Sequence, residues 1–517
     1  MPEKRYVAAI DQGTTSSRCI IWDRGGLPVC SDQREHAQIF PKPGWVEHDA
    51  AEIWSSVREV IKGALAAGGV SPDEIAAVGV TNQRETVVIW DRATGKPIHN
   101  AIVWQCMRTQ DFCGEWLKTP GWEQDRLGRG RVKDITGLLI NPYFSGTKIK
   151  WILDSTPGAR ERASRGELLF GNIDSWLIWN LTGGPNGGVH VTDVSNASRT
   201  LLMDIKTLEW SGEMTRFLDI PRAMLPRIMP SSAVYGNTSP DGPFGAEIPI
   251  AGDLGDQQAA LFGQSCFGRG EAKNTYGTGC FMLMNVGDSP VFSGSGLLST
   301  AAYKLGNEKC VYALEGSVAI AGAAIQWLRD NLRIVDESQD SEYLANKVDD
   351  SGGVYFVPAF SGLYAPYWDT SARGAIVGLT RYIRKEHIVR ATLESICYET
   401  RDMVEAMNAD SGAPLSVLKV DGGAVKNSLL MQMQSDILGA RVARPAVNET
   451  TALGAAYAAG LSVGFWESPA KLPSGGGGDV TFSPGISDEK REEGYRGWKK
   501  AIEKSRGWVN DEERGAH

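Results

Sequence analysis

Three stretches of this chain place glycine beside hydroxyl or carboxylate side chains directly after an apolar run. The first is Asp11-Gln-Gly-Thr-Thr-Ser-Ser-Arg18, behind the apolar segment 6–10. Gly13 permits a sharp turn, and Thr14, Thr15 and Ser16 offer hydroxyl and N–H donors that suit phosphate oxygens. Asp11 supplies a carboxylate of the kind Mg2+ takes together with water and phosphate, and Arg18 is close enough in sequence to meet the same phosphates. The second stretch, Asn274-Thr-Tyr-Gly-Thr-Gly279, repeats that logic. The third, Asp421-Gly-Gly-Ala-Val-Lys-Asn427, runs from a strand into a Gly-Gly helix start, where aligned N–H groups favour negative charge. An ordinary capped turn explains any one of them. Three together describe a nucleotide held between two bodies.

A second set of residues suits a small neutral polyol. Asn82-Gln-Arg-Glu85 puts Arg84 and Glu85 side by side between two apolar strands, where the guanidinium can donate and the carboxylate accept hydrogen bonds from hydroxyls. A surface ion pair is the competing account of these two charges. Trp104 and Phe281 end or interrupt strands and are either core aromatics or an apolar wall against a carbon skeleton. Tyr143 lies in the turn Asn141-Pro-Tyr-Phe-Ser-Gly146. Asp256-Gln257 stands before a helix at the expected junction of two halves, as an N-cap or as a general base.

The elements that must position these residues follow an α/β pattern. Strands are expected at 6–10 and 19–22, with a turn at 24–26 leading to a third, then a helix capped by Asp49 with Glu52 closing a capping box and Gly68-Gly69 ending it. Pro72 opens a short helix, and strands follow at 78–81, 86–90 and 102–104. Near residue 250 the pattern restarts, with Asp253-Leu-Gly-Asp256 as a turn, a helix over 257–264, paired strands over 272–285, a strand at 416–420 and a helix over 427–438. Thr119 to Lys133, rich in glycine and arginine, is expected to be a solvated surface loop. Pro473 to Asp479, with four consecutive glycines, is expected to be a flexible linker before a helix over 488–504.

At 517 residues the chain exceeds what one hydrophobic core supports, so two domains are expected, 1–254 and 255–517. The formal net charge of −9 offers no basic excess for nucleic acid. Eight scattered cysteines form no metal-binding spacing and are expected to be reduced thiols in a cytoplasmic protein. The apolar stretch 451–466 is too short for a membrane span and reads as a buried helix. Walker, protein-kinase and zinc-protease motifs are all missing from the sequence, and none of the six histidines has a catalytic setting, which leaves a carboxylate as the base.

The ordered blocks at 11–18, 44–49, 81–86, 142–148, 255–263, 274–281, 366–376, 421–424 and 450–456 resemble the FGGY carbohydrate kinases over nearly the whole chain. Gly255-Asp-Gln-Gln258 and Arg84-Glu-Thr86 point, within that family, to members that phosphorylate glycerol. The resemblance implies an α/β, two-domain actin-like ATPase (ribonuclease H-like) fold with a nucleotide cleft between the domains, and ATP-dependent formation of sn-glycerol 3-phosphate with Mg2+. By the same resemblance Asp256 would be the base. Arg84, Glu85, Tyr143, Asp256 and Gln257 would hold the hydroxyls, with Trp104 and Phe281 against the carbons. Thr14, Thr15, Ser16 and Arg18 would meet the phosphates, Thr278, Gly322, Gln326, Gly423 and Asn427 would line the rest of the ATP site, and Asp11 would sit near the metal. A homodimer or homotetramer is implied as well.

The sequence departs from the family pattern in places. Some members carry a Gly/Arg loop that binds fructose 1,6-bisphosphate, and others a phosphorylated His. Asp241-Gly-Pro-Phe-Gly-Ala-Glu247 holds no basic residue, and no His lies between His190 and His387, so control by either route is expected to be absent. Tyr364 stands where the family often has glycine. The rival readings are a kinase for another small polyol or sugar, and an actin-like ATPase switch, which would have no need of the Arg84-Glu85 and Asp256-Gln257 pairs.

Overall fold

The computed structural model describes residues 3–473 and 478–509. Its first sheet begins with an antiparallel meander, β1 (Tyr6–Gln12), β2 (Ser16–Asp23) and β3 (Pro28–Glu35). The helix α1 (Ala50–Gly68) follows, buries Ile53, Val57, Val60, Ile61 and Ala64 against the meander, and leads to β4 (Ile75–Asn82), which joins β1 in parallel. Two further strands, β5 (Ser232–Asn237) and β6 (Pro249–Gly255), extend that edge, with β6 parallel to β4, giving the order β5-β6-β4-β1-β2-β3.

The second sheet repeats the plan. After α2 (Asp256–Gly263), β7 (Glu271–Tyr276) and β8 (Cys280–Gly287) form a hairpin, and β9 (Leu298–Tyr303) and β10 (Val311–Val318) complete the antiparallel side, with β10 against β8. The helices α3 (Gly322–Asp330) and α4 (Lys385–Ser411) precede β11 (Val417–Asp421), which joins β7 in parallel as β4 joins β1. The chain finishes with α5 (Ser428–Leu438), β12 (Val442–Arg444), α6 (Thr450–Ser462), β13 (Val480–Phe482) and α7 (Asp488–Ser505). The order is β9-β10-β8-β7-β11-β12-β13. In both sheets the central strand is the first strand of a hairpin, so each hairpin turn opens at the same end of its sheet as the parallel strand beside it.

The halves are joined by two helices rather than one linker. The sequence of α6 is short-chained, and it packs on β1, β4 and β6 of the first sheet while crossing α2. Small residues set that crossing: a Cβ on Gly454 would lie 1.9 Å from the Ala259 carbonyl oxygen, and one on Gly263 would lie 2.0 Å from that of Thr450. In turn α2 touches strands of both sheets, so its first residue, Asp256, lies where they meet.

Several sequence expectations change. Asp253-Leu-Gly is the buried end of strand β6 and not a turn; the alternation of glycine and aspartate mimics turn chemistry, while strand pairing with β4 decides. Gly255, not Asp256, occupies the N-cap of α2. Asp49 does cap α1, but Glu52 accepts from the Ala37 N–H at 3.0 Å instead of closing a capping box. The 119–133 stretch is not wholly a solvated loop: Lys133 is buried in a helix over Arg131–Thr136, and its ammonium donates to the Ser293 carbonyl at 2.9 Å, across to the second half. Burial lowers its pKa to about 8. Arg129 and Arg131 pair on the surface with Asp125 and Glu213. Of the expected linker, 474–477 lie outside the described residues. All eight cysteines are free, and among the described residues no helix is long and apolar enough to cross a membrane.

Candidate active site

The end of β4 delivers Asn82 and then a tight bend in which Glu85 takes φ +60°, a conformation that non-glycine residues adopt only when their surroundings force it. The bend is pinned from several sides. The Thr86 N–H donates to the Arg84 carbonyl at 2.7 Å, the Ser145 hydroxyl to the Glu85 carbonyl at 3.2 Å and the Asn172 amide to the Thr86 carbonyl at 2.9 Å. These fixings turn Arg84 and Glu85 inward, and both are buried, which excludes the surface ion pair.

Inside, Arg84 and Glu85 do not primarily pair with each other, being 3.9 Å apart. Arg84 meets Glu315 of β10 at 2.5 and 3.2 Å and donates to the Gln258 side-chain oxygen at 3.2 Å. Glu85 is held by Arg199 at 2.6 Å, and Arg199 also reaches Glu315 at 2.8 Å. Four buried charges therefore alternate in sign. For Glu315, burial would raise the pKa, but the guanidiniums of Arg199 and Arg84 outweigh it and hold the group at about 2. Glu85, with one close guanidinium and Glu315 as a neighbour, is instead pushed up by its burial. The Nε of Arg84 lies 3.1 Å from a carboxylate oxygen of Asp256, whose side chain is 32% exposed against 2% for Arg84. Asp256 thus stands at the open face of the charge cluster.

The aromatic residues converge beside it. The Trp104 ring makes edge contacts with Tyr143 at 5.6 Å and Phe281 at 6.4 Å between centroids. The indole N–H donates to the Thr14 hydroxyl at 2.9 Å, tying this wall to the first glycine turn. The Tyr143 turn is supported from below by the buried ammonium of Lys148, which donates to the carbonyls of Pro142 and Tyr143 and whose pKa burial lowers to about 7. Gln257 donates to Asp256 at 3.3 Å and accepts from the buried Lys273 ammonium of β7, which also donates to Thr275 at 2.9 Å. Burial lowers the Lys273 pKa.

The glycine turns also come together. Around the second hairpin turn, the N–H groups of Ala321 and Ala323 donate to the Thr278 carbonyl and that of Gly322 to Gly277, and a Cβ on Gly422 would lie 2.5 Å from the Tyr276 carbonyl. Thr278, Gly322 and Gly423 therefore share one neighbourhood, and Gly423 faces open space, with nothing within 4 Å of a Cβ built on it. Asn427 caps α5, its side chain accepting from the Leu430 N–H, while Gln326 lies exposed on α3. In the first half the Gly13 N–H donates to the Ser16 carbonyl, closing the turn that carries Thr14 and exposes Thr15. Arg18 is held by Glu449, at the start of α6, and by Gln33.

The residues fit a divalent cation at Asp11. Among the described residues no donor contacts its carboxylate, and burial together with nearby Asp256 and Glu449 raises its pKa to about 7 against the pull of Arg18. A cation at that carboxylate would supply positive charge there.

Sequence reading missed Arg199, Glu315, Gln258 and Lys273. A visible signal existed for one of them: Glu315 interrupts the apolar run of β10, and a charge inside a central strand requires a partner, whereas Lys273 stands in the polar sequence Glu271-Ala-Lys-Asn-Thr-Tyr276 of β7. Arg199 gave no such signal.

Residues 6–263 match the family model for the N-terminal domain of the FGGY family of carbohydrate kinases, and residues 272–463 that for the C-terminal domain. A glycerol kinase of Roseiflexus sp. (strain RS-1) is 61% identical over 98% of this chain and 100% of that protein. One from Caldanaerobacter subterraneus subsp. tengcongensis is 60% identical over 98% of this chain and 100% of its own length. Among solved structures, Plasmodium falciparum glycerol kinase with ADP superposes with a TM-score of 0.91 at 39% identity, covering 97% of this chain and 98% of that one. A xylulose kinase from Lactobacillus acidophilus shares the fold, with a TM-score of 0.84 at 22% identity, covering 96% of this chain and 97% of that one.

Proposed function

The chain belongs to the FGGY family of carbohydrate kinases, and we propose that it transfers the γ-phosphate of ATP to a terminal hydroxyl of glycerol, giving sn-glycerol 3-phosphate and ADP. The observation that carries the substrate reading is the meeting of the edge-on Trp104–Tyr143–Phe281 group with the buried charge cluster, the Tyr143 ring lying 5.7 Å from the Arg199 guanidinium, while Asp256 is held by Arg84 at the exposed side of that cluster. Edge-on aromatic rings suit the carbons of a short chain, while the buried charges offer donors and acceptors to its hydroxyls.

In this reading Asp256 accepts the proton of the terminal hydroxyl as that oxygen bonds to the γ-phosphorus and the bond to the β-phosphate oxygen breaks, ADP leaving in line. Arg84 orients Asp256, Gln257 and Glu85 fix the remaining hydroxyls, and Lys273 steadies Gln257. Thr14, Thr15, Ser16 and Arg18 meet the phosphates from the first half, and Thr278, Gly322, Gln326, Gly423 and Asn427 receive the rest of the nucleotide from the second. Asp11 would hold a divalent cation, Mg2+ in this proposal, which would supply positive charge against the phosphates. Closure of the two halves about the α2–α6 crossing excludes water from the transfer. A cytoplasmic homodimer or homotetramer, free of control by fructose 1,6-bisphosphate or by His phosphorylation, completes the proposal.

The test is ADP release from Mg-ATP with and without glycerol, beside dihydroxyacetone, erythritol and xylulose. A large glycerol-dependent rate with glycerol 3-phosphate as product is expected. Preference for another of these acceptors would overturn the substrate, and a rate indifferent to all of them would favour the ATPase switch.

A further inference from the structure

Beneath Asp256 the interior holds a second group of carboxylates that the phosphoryl transfer does not use. Asp174, Asp193 and Asp253 are each fully buried, and each places a carboxylate oxygen within 4.8 Å of the others. Among the described residues none of the three forms an ion pair with Lys, Arg or His. Burying three carboxylates with no counter-charge is prohibitive, so positive charge has to enter with protons or with a cation.

The hydrogen bonding separates these two. Asp193 is the most heavily hydrogen-bonded of the three: it accepts from the N–H groups of Ser195 and Asn196 and from the side chains of Ser195, Asn196 and Ser231, all within 3.1 Å. Asp174 accepts from the Thr192 hydroxyl at 2.6 Å through one oxygen and has no donor for the other. Asp253 has no donor for either oxygen. A single proton shared between Asp174 and Asp253 would satisfy two of these three orphaned oxygens and leave two negative charges among the three groups. One divalent cation would take one oxygen from each of the three carboxylates, which lie within 4.8 Å of one another, and leave one negative charge.

We propose that Asp174, Asp193 and Asp253 form a buried site for one hard, oxygen-liganded divalent cation of the Ca2+ or Mg2+ class, separate from the metal that accompanies the nucleotide. Three carboxylate oxygens, with no sulfur or imidazole among the ligands, select that class over softer metals. The three ligands come from different segments: Asp174 from the first turn of the helix Ile173–Leu181, Asp193 from the cap of the helix Val194–Ala197, and Asp253 from β6. The Ser195 hydroxyl, donated to Asp193, accepts from the Gly255 N–H at 2.9 Å, and Gly255 immediately precedes Asp256. The cation therefore fixes the strand end that presents Asp256 and the segment that carries Arg199.

The test is elemental analysis of the full-length protein after dialysis against chelator and without nucleotide, together with thermal unfolding in added CaCl2 or MgCl2. The expected result is close to one Ca2+ or Mg2+ per chain, or a rise in Tm of several degrees on adding either salt, retained in Asp11→Asn and lost in Asp253→Asn. Wild-type protein that contains neither metal and shows no shift overturns the site and leaves the carboxylates held by protons. Retention of metal and shift in Asp253→Asn overturns it equally. If Asp253→Asn fails to fold, Asp174→Asn replaces it with the same two outcomes.

Discussion

The Nε of Arg84 lies 3.1 Å from a carboxylate oxygen of Asp256, the one joining the end of β4 and the other starting the helix that touches both sheets. This contact fixes the carboxylate of Asp256 at the exposed side of the buried charge cluster. Replacing the carboxylate with an amide keeps the shape and removes the proton acceptor of the proposed reaction. Asp256→Asn is therefore expected to lower kcat by about 10²–10⁴-fold, the usual contribution of a positioned base. ADP binding measured by calorimetry should stay near wild type, since the nucleotide turns do not depend on Asp256. An equal loss of nucleotide affinity would assign Asp256 to binding instead.

Glu315 accepts from both Arg84 and Arg199, and its removal leaves two guanidiniums buried with too little negative charge. Glu315→Gln is expected to cost about 3–5 kcal/mol of stability, the range for breaking a buried pair from one side. The wild-type contribution depends on pH with a definite sign. The folded pKa of about 2 lies below the ordinary 4.5, so the stability is fully present above about pH 4.5 and is lost as pH falls through 2. Acid unfolding of Glu315→Gln should lack that part of the transition. An acid profile parallel to wild type would remove Glu315 from this role.

The crossing of α2 and α6 is built from contacts that no side chain can enter. A Cβ on Gly454 would meet the Ala259 carbonyl oxygen at 1.9 Å, and backbone, unlike a flexible side-chain end, has little freedom to move away. Gly454→Val is expected to lower Tm by several degrees or abolish folding, consistent with overpacking costs of about 1–3 kcal/mol or more. Gly212→Ala, where a Cβ meets nothing within 4 Å and helical backbone is available, serves as the tolerated control. A stable Gly454→Val with unchanged kinetics would show that the helices separate without consequence.

Much of this arrangement was legible in the residues alone, for a physical reason. Gly13, Gly279 and Gly422 sit in hairpin or strand-end turns whose chemistry is local, so Asp11–Arg18, Asn274–Gly279 and Asp421–Asn427 announce themselves in sequence. The same locality misled at Asp253, where glycine and aspartate look like a turn but pairing of β6 with β4 makes a strand. The partners of Arg84 are the opposite case. Glu315 and Arg199 lie far away in the chain and meet it only after two sheets and the segment 194–199 have packed, so local pattern has no access to that charge cluster. Lys133 shows the limit from the other side: a basic residue in a Gly/Arg-rich stretch reads as solvated until the Ser293 carbonyl arrives from the second half.

Gly423 offers a test of the nucleotide side that leaves the fold intact. Its neighbour Gly422 has φ +94°, and a Cβ there would strike the Tyr276 carbonyl at 2.5 Å, so substitution at 422 disturbs the turn itself. Gly423 has neither constraint: a Cβ at this position would have no atom within 4 Å, and its backbone does not need glycine. Open space beside a helix start that shares a neighbourhood with Thr278 and Gly322 is what the nucleotide would occupy. Gly423→Leu is therefore expected to unfold at the wild-type temperature, to raise KM for ATP by about tenfold or more, equivalent to about 1.4 kcal/mol of lost binding, and to leave KM for glycerol unchanged. An unaltered KM for ATP would move the nucleotide away from this turn, and a parallel rise in both KM values would indicate a general distortion of the cleft.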